Sequence, residues 1–327
     1  MCIIIMNKND TVRFILTCET ESEVVAVLEI IDDLIDSAKI YVKSSETPII
    51  KTIGLDGKLR TYQGTTSRTI NQALYHGGII TLDSDTLYTI EEPLLFTSDT
   101  VFDGNMATIK LAEGLPVWGY NRCPISEAKA MLMVSEGTAN NITIRDLIVD
   151  GSQSDYYPNV RLGTSLYNMA TLIGCSGLVI ENCTFKNGCN DAILLHKCEN
   201  IQIDNIIVNK CGHDGVYAYY VEGISVSNST FVNRTNSSCR FYNVTKGEFV
   251  DNKCSTSGGG HTGLQLQGNL KDIIVSGNYI NGLPYPGILS INAKMSNVVI
   301  ENNLIEKCKY PGIYAPGATV KNNKIIF

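Results

Sequence analysis

Two carboxylates and two imidazoles recur at one place in a repeating pattern. Asn190-Asp191, His213-Asp214, Asn236-Ser237 and His261-Thr262 each precede a small residue and then an apolar one, Ile193, Val216, Cys239 and Leu264. Such residues are ordinary turn formers before a strand, yet their charges also suit catalysis. Asp191 and Asp214 are 23 residues apart. If that interval is one turn of a coil, their carboxyls lie about 5 Å apart, near the separation in retaining glycosidases. Like charges that close push one pKa up, so an acid and a base or nucleophile can coexist. His213 or His261 offers another base, and Arg240 a guanidinium to stabilise a uronate carboxylate or an enolate-like intermediate. Asp191, Asp214, His213, Arg240 and His261 are therefore the candidate catalytic residues, with hydrolysis and elimination both open.

Alternation along the strand that follows turns a second set of side chains outward. One file reads Leu194, Tyr217, Arg240, Gln265, Leu289, Tyr314, and the next His196, Tyr219, Tyr242, Gln267. Tyr rings stack on pyranose faces, while Arg, Gln and His bond to hydroxyls or carboxylates, so a polysaccharide lying along the coil axis is the expected partner. Between Asp146 and Asn182 lie 36 residues, and the excess over one repeat includes Tyr156, Tyr157 and Arg161, expected to form one wall of the groove. The candidate substrate-binding residues are His196, Tyr217, Tyr219, Tyr242, Gln265, Gln267, Tyr156, Tyr157 and Arg161. No metal ligand set and no cofactor are expected.

What positions these groups is a repeat. Ile180-Glu181-Asn182, Ile203-Asp204-Asn205, Val226-Ser227-Asn228, Val250-Asp251-Asn252, Val275-Ser276-Gly277, Ile300-Glu301-Asn302 and Val320-Lys321-Asn322 align, with intervals of 23, 23, 24, 25, 25 and 20 residues. That period marks a solenoid. The spacing predicts two short strands per repeat, one at this ladder and one at the column Ile193, Val216, Cys239, Leu264, Ile288, Ile313, separated by turns of Gly, Asn, Asp and Ser. Stacked coils at the ~4.8 Å strand spacing would place the Asn column in the interior, each amide pairing with its neighbours. The seven Asn-x-Ser/Thr matches, at Asn9, Asn141, Asn182, Asn228, Asn233, Asn236 and Asn243, then follow from the repeat rather than from glycosylation.

With these repeats, and with Thr69–Leu74, Gly77–Leu82, Tyr88–Ile90 and Val101–Gly104 reading as a short helix and first coils, the chain resembles the right-handed parallel β-helix proteins of the pectate-lyase superfamily. That superfamily includes polygalacturonases, alginate epimerases and phage tailspikes. The resemblance implies an all-β fold, a right-handed single-stranded parallel β-helix. It also implies action on a polysaccharide by a glycoside hydrolase or polysaccharide lyase, of tailspike-type depolymerase kind, or else a non-catalytic glycan-binding or structural solenoid such as an adhesin or virion component. Asn190-Asp191, His213-Asp214 and Gly260-His261 partly echo the polygalacturonase motifs, but Arg240 lacks the following Ile-Lys. The epimerase Asp-Pro-His is absent, and the clustered acids of a calcium-dependent lyase are represented only by Asp191 and Asp214.

At 327 residues, 44% of them hydrophobic, the chain can bury a large core. A net charge of −7 speaks against nucleic acid and anionic membranes as partners. No apolar run approaches the ~20 residues of a membrane span. Eleven cysteines, an odd number placed in repeat positions, are expected to be reduced and packed as small apolar residues. Met1–Met6 is too short for a classical signal peptide, although the resemblance implies an extracellular or virion-associated setting and a possible homotrimer. Two regions are expected, 1–62 as a cap or attachment segment and 63–327 as the β-helix. Thr20-Glu21-Ser22-Glu23 has capping-box spacing, and Val24, Val27, Leu28, Ile31, Leu34 and Ile35 then predict one amphipathic helix in the first.

Overall fold

The computed structural model describes residues 47–115, 128–134, 139–156, 167–233, 235–256 and 260–327, together with the backbone of three strands nearer the start. The chain divides into two compact units, Met1–Pro48 and Ile49–Phe327. In the first, Cys2–Met6 pairs antiparallel with Arg13–Thr17 on one side and Lys39–Lys43 on the other. The amphipathic helix expected after Thr20 lies outside the described residues.

The second unit is a parallel β-solenoid. An antiparallel pair, Ile49–Ile53 and Leu59–Gln63, joins the strand Gly78–Thr81. The expected short helix is present as Ser67–Leu74, capped where the Thr66 hydroxyl accepts the Thr69 N–H, with Ile70, Ala73 and Leu74 buried. Each coil then has three faces where two strands were expected, because a third short strand follows the Asn turn. Ten of these third strands stack in register from Leu87–Ile90 to Lys324–Ile326. The first and second faces run together around their shared corner, as in Val216–Ser227 and Cys239–Val250. The predicted apolar column is confirmed residue for residue: Ile193 pairs with Val216, then Cys239, Leu264, Ile288 and Ile313. The first five of these are fully buried.

The asparagine column needs correcting. Asn182, Asn205, Asn228, Asn302 and Asn322 are exposed and hold φ of 50° to 57° at the second corner, not in the interior. Asn tolerates that left-handed region better than other side chains. Asp251, not Asn252, is the member of this file in its coil (φ 55°). A Cβ at Gly277 would collide with the Asp251 carboxylate, which explains the glycine. The interior amide ladder exists one residue further on. Asn252 Nδ2 donates to Asn278 Oδ1 (3.1 Å), Asn278 Nδ2 to Asn303 Oδ1 (2.9 Å), and Asn303 Nδ2 to Asn323 Oδ1 (2.9 Å). The eight cysteines among the described residues are all buried, packed as small residues in the stacked files. Burial pushes the thiols of Cys183 and Cys189 up to about 12, so they are inert. Among the described residues, no helix is long and apolar enough to cross a membrane.

Candidate functional site

The turn that leads into the first face is built by a file of side chains, each bonded to the coil above. Asn168 Oδ1 accepts the Asp191 N–H (3.1 Å), Asp191 Oδ1 accepts the Asp214 N–H (2.9 Å), and Asp214 Oδ1 accepts the Ser237 N–H (2.9 Å). Asp191 and Asp214 are thus brought one coil apart in the same file, as their spacing predicts. Their environment is drier than an exposed turn would give, since their side chains are only 2% and 0% exposed. The ladder requires an acceptor oxygen but not a charge, because Asn168 performs the same task with an amide. Two buried negative charges are therefore surplus to the fold.

Those charges are met by two cations. His213 Nδ1 lies 2.8 Å from Asp191 Oδ1 and 3.4 Å from Asp214 Oδ2. Arg240 Nε lies 2.9 Å from Asp214 Oδ2, although its N–H is not aimed along a hydrogen bond. Burial would lower the His213 pKa, but the carboxylates of Asp191 and Asp214 outweigh it and hold the imidazole up at about 9. It is an imidazolium at neutral pH. Burial raises the Asp214 carboxyl pKa, against the pull of His213 and Arg240. Of the cluster, His213 is the member most open to solvent, at 29%. Its Nε2 lies 3.0 Å from the Asn236 side-chain amide, whose two ends can exchange to present oxygen to an imidazolium.

His261 is placed differently. Its ring stacks on Tyr285 at 3.9 Å, its Nδ1 has no hydrogen-bond partner, and burial with the nearby Arg240 charge lowers its pKa, leaving it neutral. Its backbone N–H donates to the Asn236 carbonyl, so Asn236 separates the two histidines by coil. Asp191, His213 and Asp214 offer ligand atoms within 4.8 Å of one another, a spacing that suits a cation. Arg240 already supplies positive charge at Asp214, so the donor set fits a guanidinium better than a metal ion.

The outward files are found as read. Tyr217, Arg240, Gln265 and Leu289 pair in one register, and His196, Tyr219, Tyr242 and Gln267 in the next. The Arg240 guanidinium lies 4.9 Å above the Tyr217 ring. Three members are more covered than alternation implies. Leu194 is 1% exposed, Gln265 5% and His196 9%. His196 is covered by Tyr219 at 5.1 Å and Tyr220 at 6.3 Å, and Gln265 is engaged by Ser237 and Gln267. Of the loop, Gln153–Tyr156 forms one helical turn; the Tyr156 side chain, Tyr157 and Arg161 lie outside the described residues. Sequence reasoning missed Asn168, which stands one 23-residue step before Asp191, and Tyr220, an aromatic at a corner where turn residues are the rule. A recess of about 520 Å³, lined in part by Gln202, Ser225 and Glu248, lies on the second face and contains none of these groups.

Residues 169–325 match the family model described as right handed beta helix region. With the coil architecture above, this match gives the chain the fold of a right-handed parallel β-helix. Among solved structures it is similar to a hyperthermoactive exopolygalacturonase from Thermotoga maritima, with TM-score 0.61, 12% identity, and coverage of 80% of this chain and 72% of that one. It is also similar to a polygalacturonase from Erwinia carotovora (0.49, 12%, 88% and 95%). A third is the Streptococcus pneumoniae surface protein and adhesin PfbA (0.45, 13%, 80% and 93%). At 12% identity the likeness to the Thermotoga enzyme is one of fold. No curated protein sequence matches the chain.

Proposed function

We propose that this protein is a glycoside hydrolase that binds a polysaccharide on the outward surface of the first face and cleaves it there. One observation carries the reading: two carboxylates stand in a dry position where the fold needs only a neutral acceptor, and both contact one partly open imidazole. Buried charge is unfavourable unless paired, and clusters of this kind mark sites of chemistry. His213, cationic at neutral pH, donates a proton to the glycosidic oxygen as the C–O bond breaks. A water molecule adds to the anomeric carbon and passes its proton to neutral His261. Opposite pKa shifts in two imidazoles are what an acid and base pair requires. The two residues stand two coils apart, about 9.6 Å along the axis, which leaves room for a sugar and a water between them.

Asp191 and Asp214 orient His213 and hold its charge, Arg240 balances Asp214, and Tyr217, Tyr219 and Tyr242 offer ring faces to the sugar. The carboxylates serve behind the imidazole because neither is open to a substrate. The name of the Thermotoga neighbour supports a carbohydrate substrate for this fold. Incubation with polygalacturonate, alginate and dextran tests the reading. New reducing ends of inverted configuration are expected from the wild type, and none from His213→Gln. Saturable binding without new reducing ends would make the protein a glycan-binding solenoid, and unsaturated products absorbing in the ultraviolet would make it a lyase.

A further inference from the structure

At the corner between the first and second faces, two members of one file, Lys197 and Tyr220, run against the local geometry. Gly174, Lys197, Tyr220, Asn243, Gly268 and Asn292 form a single file with φ between 50° and 69°. Gly and Asn suit that conformation, whereas a bulky ring is an outlier there. Among the described residues, Tyr220 (φ 55°) is the one aromatic with positive φ. It is 50% exposed, so core packing does not explain its presence.

Its ring completes a cluster on the outside of the coil. Tyr220 lies 4.5 Å from Tyr219 and 6.3 Å from His196, and Tyr219 lies 5.1 Å from His196 and 4.9 Å from Tyr242. The Tyr242 ring has its seat because residue 268 is glycine; a Cβ there would collide with it. This cluster is joined to the charged one by direct contacts. Asp214 meets Arg240 at 2.9 Å, Arg240 lies 4.9 Å over Tyr217, and Tyr217 stacks on Tyr219 at 5.9 Å. The contacts pass through Arg240 of the next coil and return to the strand that carries Tyr217 and Tyr219, and the five steps from Asp214 to Tyr219 span about 16 Å.

We infer that Tyr219, Tyr220 and Tyr242, backed by the covered ring of His196, form a distal subsite that stacks on pyranose rings of a bound polysaccharide, and that the glycan runs along the strand between this subsite and His213. The inference rests on the proposed function and adds a second contact point and a direction to it. The disfavoured backbone at Tyr220 is held because the ring is needed at that place.

The test is Tyr220→Asn, which installs the residue present at 243 and 292. Its melting temperature is expected to rise by about 2–4 °C as the disfavoured conformation is relieved. Affinity for whichever of polygalacturonate, alginate and dextran the wild type binds should fall about 3- to 10-fold, the range for loss of one aromatic stacking contact. Affinity for the corresponding disaccharide, too short to reach both clusters, should not change. Tyr219→Ala should weaken polysaccharide binding in the same way. Unchanged polysaccharide affinity in Tyr220→Asn overturns the inference whatever its melting temperature, and a lowered melting temperature with intact binding shows Tyr220 to be a structural residue. A wild type that binds but does not cleave removes the hydrolase reading alone, leaving the affinity comparison to decide the subsite. A wild type that binds none of the three removes both.

Discussion

At the scale of single residues, the site separates two tasks that one side chain type performs together. Asp214 accepts the Ser237 N–H with one oxygen and faces His213 and Arg240 with the other. Asp214→Asn keeps the first task, as Asn168 shows for Asp191, and removes the charge that helps hold His213 protonated. Turnover on the responsive polysaccharide should fall at least ~100-fold. Stability should drop by about 3 kcal/mol, because Arg240 loses its carboxylate, with circular dichroism still reporting a β-helix. Full activity in this variant would remove Asp214 from the site. The pH dependence has a definite sign. The folded pKa of His213 is raised from 6.5 to about 9, so its contribution is complete below pH 6.5 and is lost as pH rises to about 9. Urea unfolding across that window should show stability declining by up to ~1.4 kcal/mol per pH unit, and His213→Gln should abolish the decline; a flat wild-type profile would contradict the ion pairing. Asp191, His213, Asp214 and Arg240 were legible as a group because residues 23 apart stack. Their dryness was not, since whether a turn residue meets water is decided by packing around it and not by spacing.

Within the elements, two neighbouring positions of the coils from Asp251 onward both favour asparagine for unrelated reasons, whereas the earlier coils carry Cys183, Ile206 and Ser229 at the buried one. The exposed one needs a left-handed backbone; the buried one needs an amide that can donate and accept along the stack. Doublets such as Asn302-Asn303 and Asn322-Asn323 occupy both, while Asp251-Asn252 and Gly277-Asn278 divide the roles. An alignment by three-residue rows therefore slips by one at Asn252, which is why the sequence pattern located the ladder but misplaced its members. The distinction predicts unequal costs. Asn278→Ala breaks bonds to Asn252 and Asn303 and leaves buried backbone carbonyls of Phe249 and Ser276 without that donor. It should cost about 2–4 kcal/mol, several lost bonds with unsatisfied partners. Asn302→Ala, exposed at the corner, should cost about 1 kcal/mol through its left-handed backbone alone. Chemical denaturation of both variants decides the matter, and equal losses would mean that the two files are not distinct. The strand columns needed no such correction, because alternation of period two puts inward residues on one side without ambiguity.

For the whole molecule, stability follows from stacking, since a coil buries its apolar residues only against the coils on either side of it. An inner coil is covered on both sides, and Phe249, Val275 and Ile300 are fully buried. In the coil that follows Ile300 the inward residues are more open, Val320 at 48% and Ile325 at 36%. Coils whose inward residues are open should exchange before those whose inward residues are covered. Amide hydrogen exchange should be fastest across Ile313–Ile326 and slowest in the strands between Val216 and Glu301, the region that carries His213, Asp214 and Arg240. Mutational costs should follow the same gradient. Phe249→Ala should lose about 3–5 kcal/mol, and Ile325→Ala, already partly solvated, about 1 kcal/mol. Uniform exchange along the chain, or an equal cost for the two truncations, would show that the solenoid unfolds as one cooperative block. In that case the charged cluster would be held by the stability of every coil rather than by its immediate neighbours.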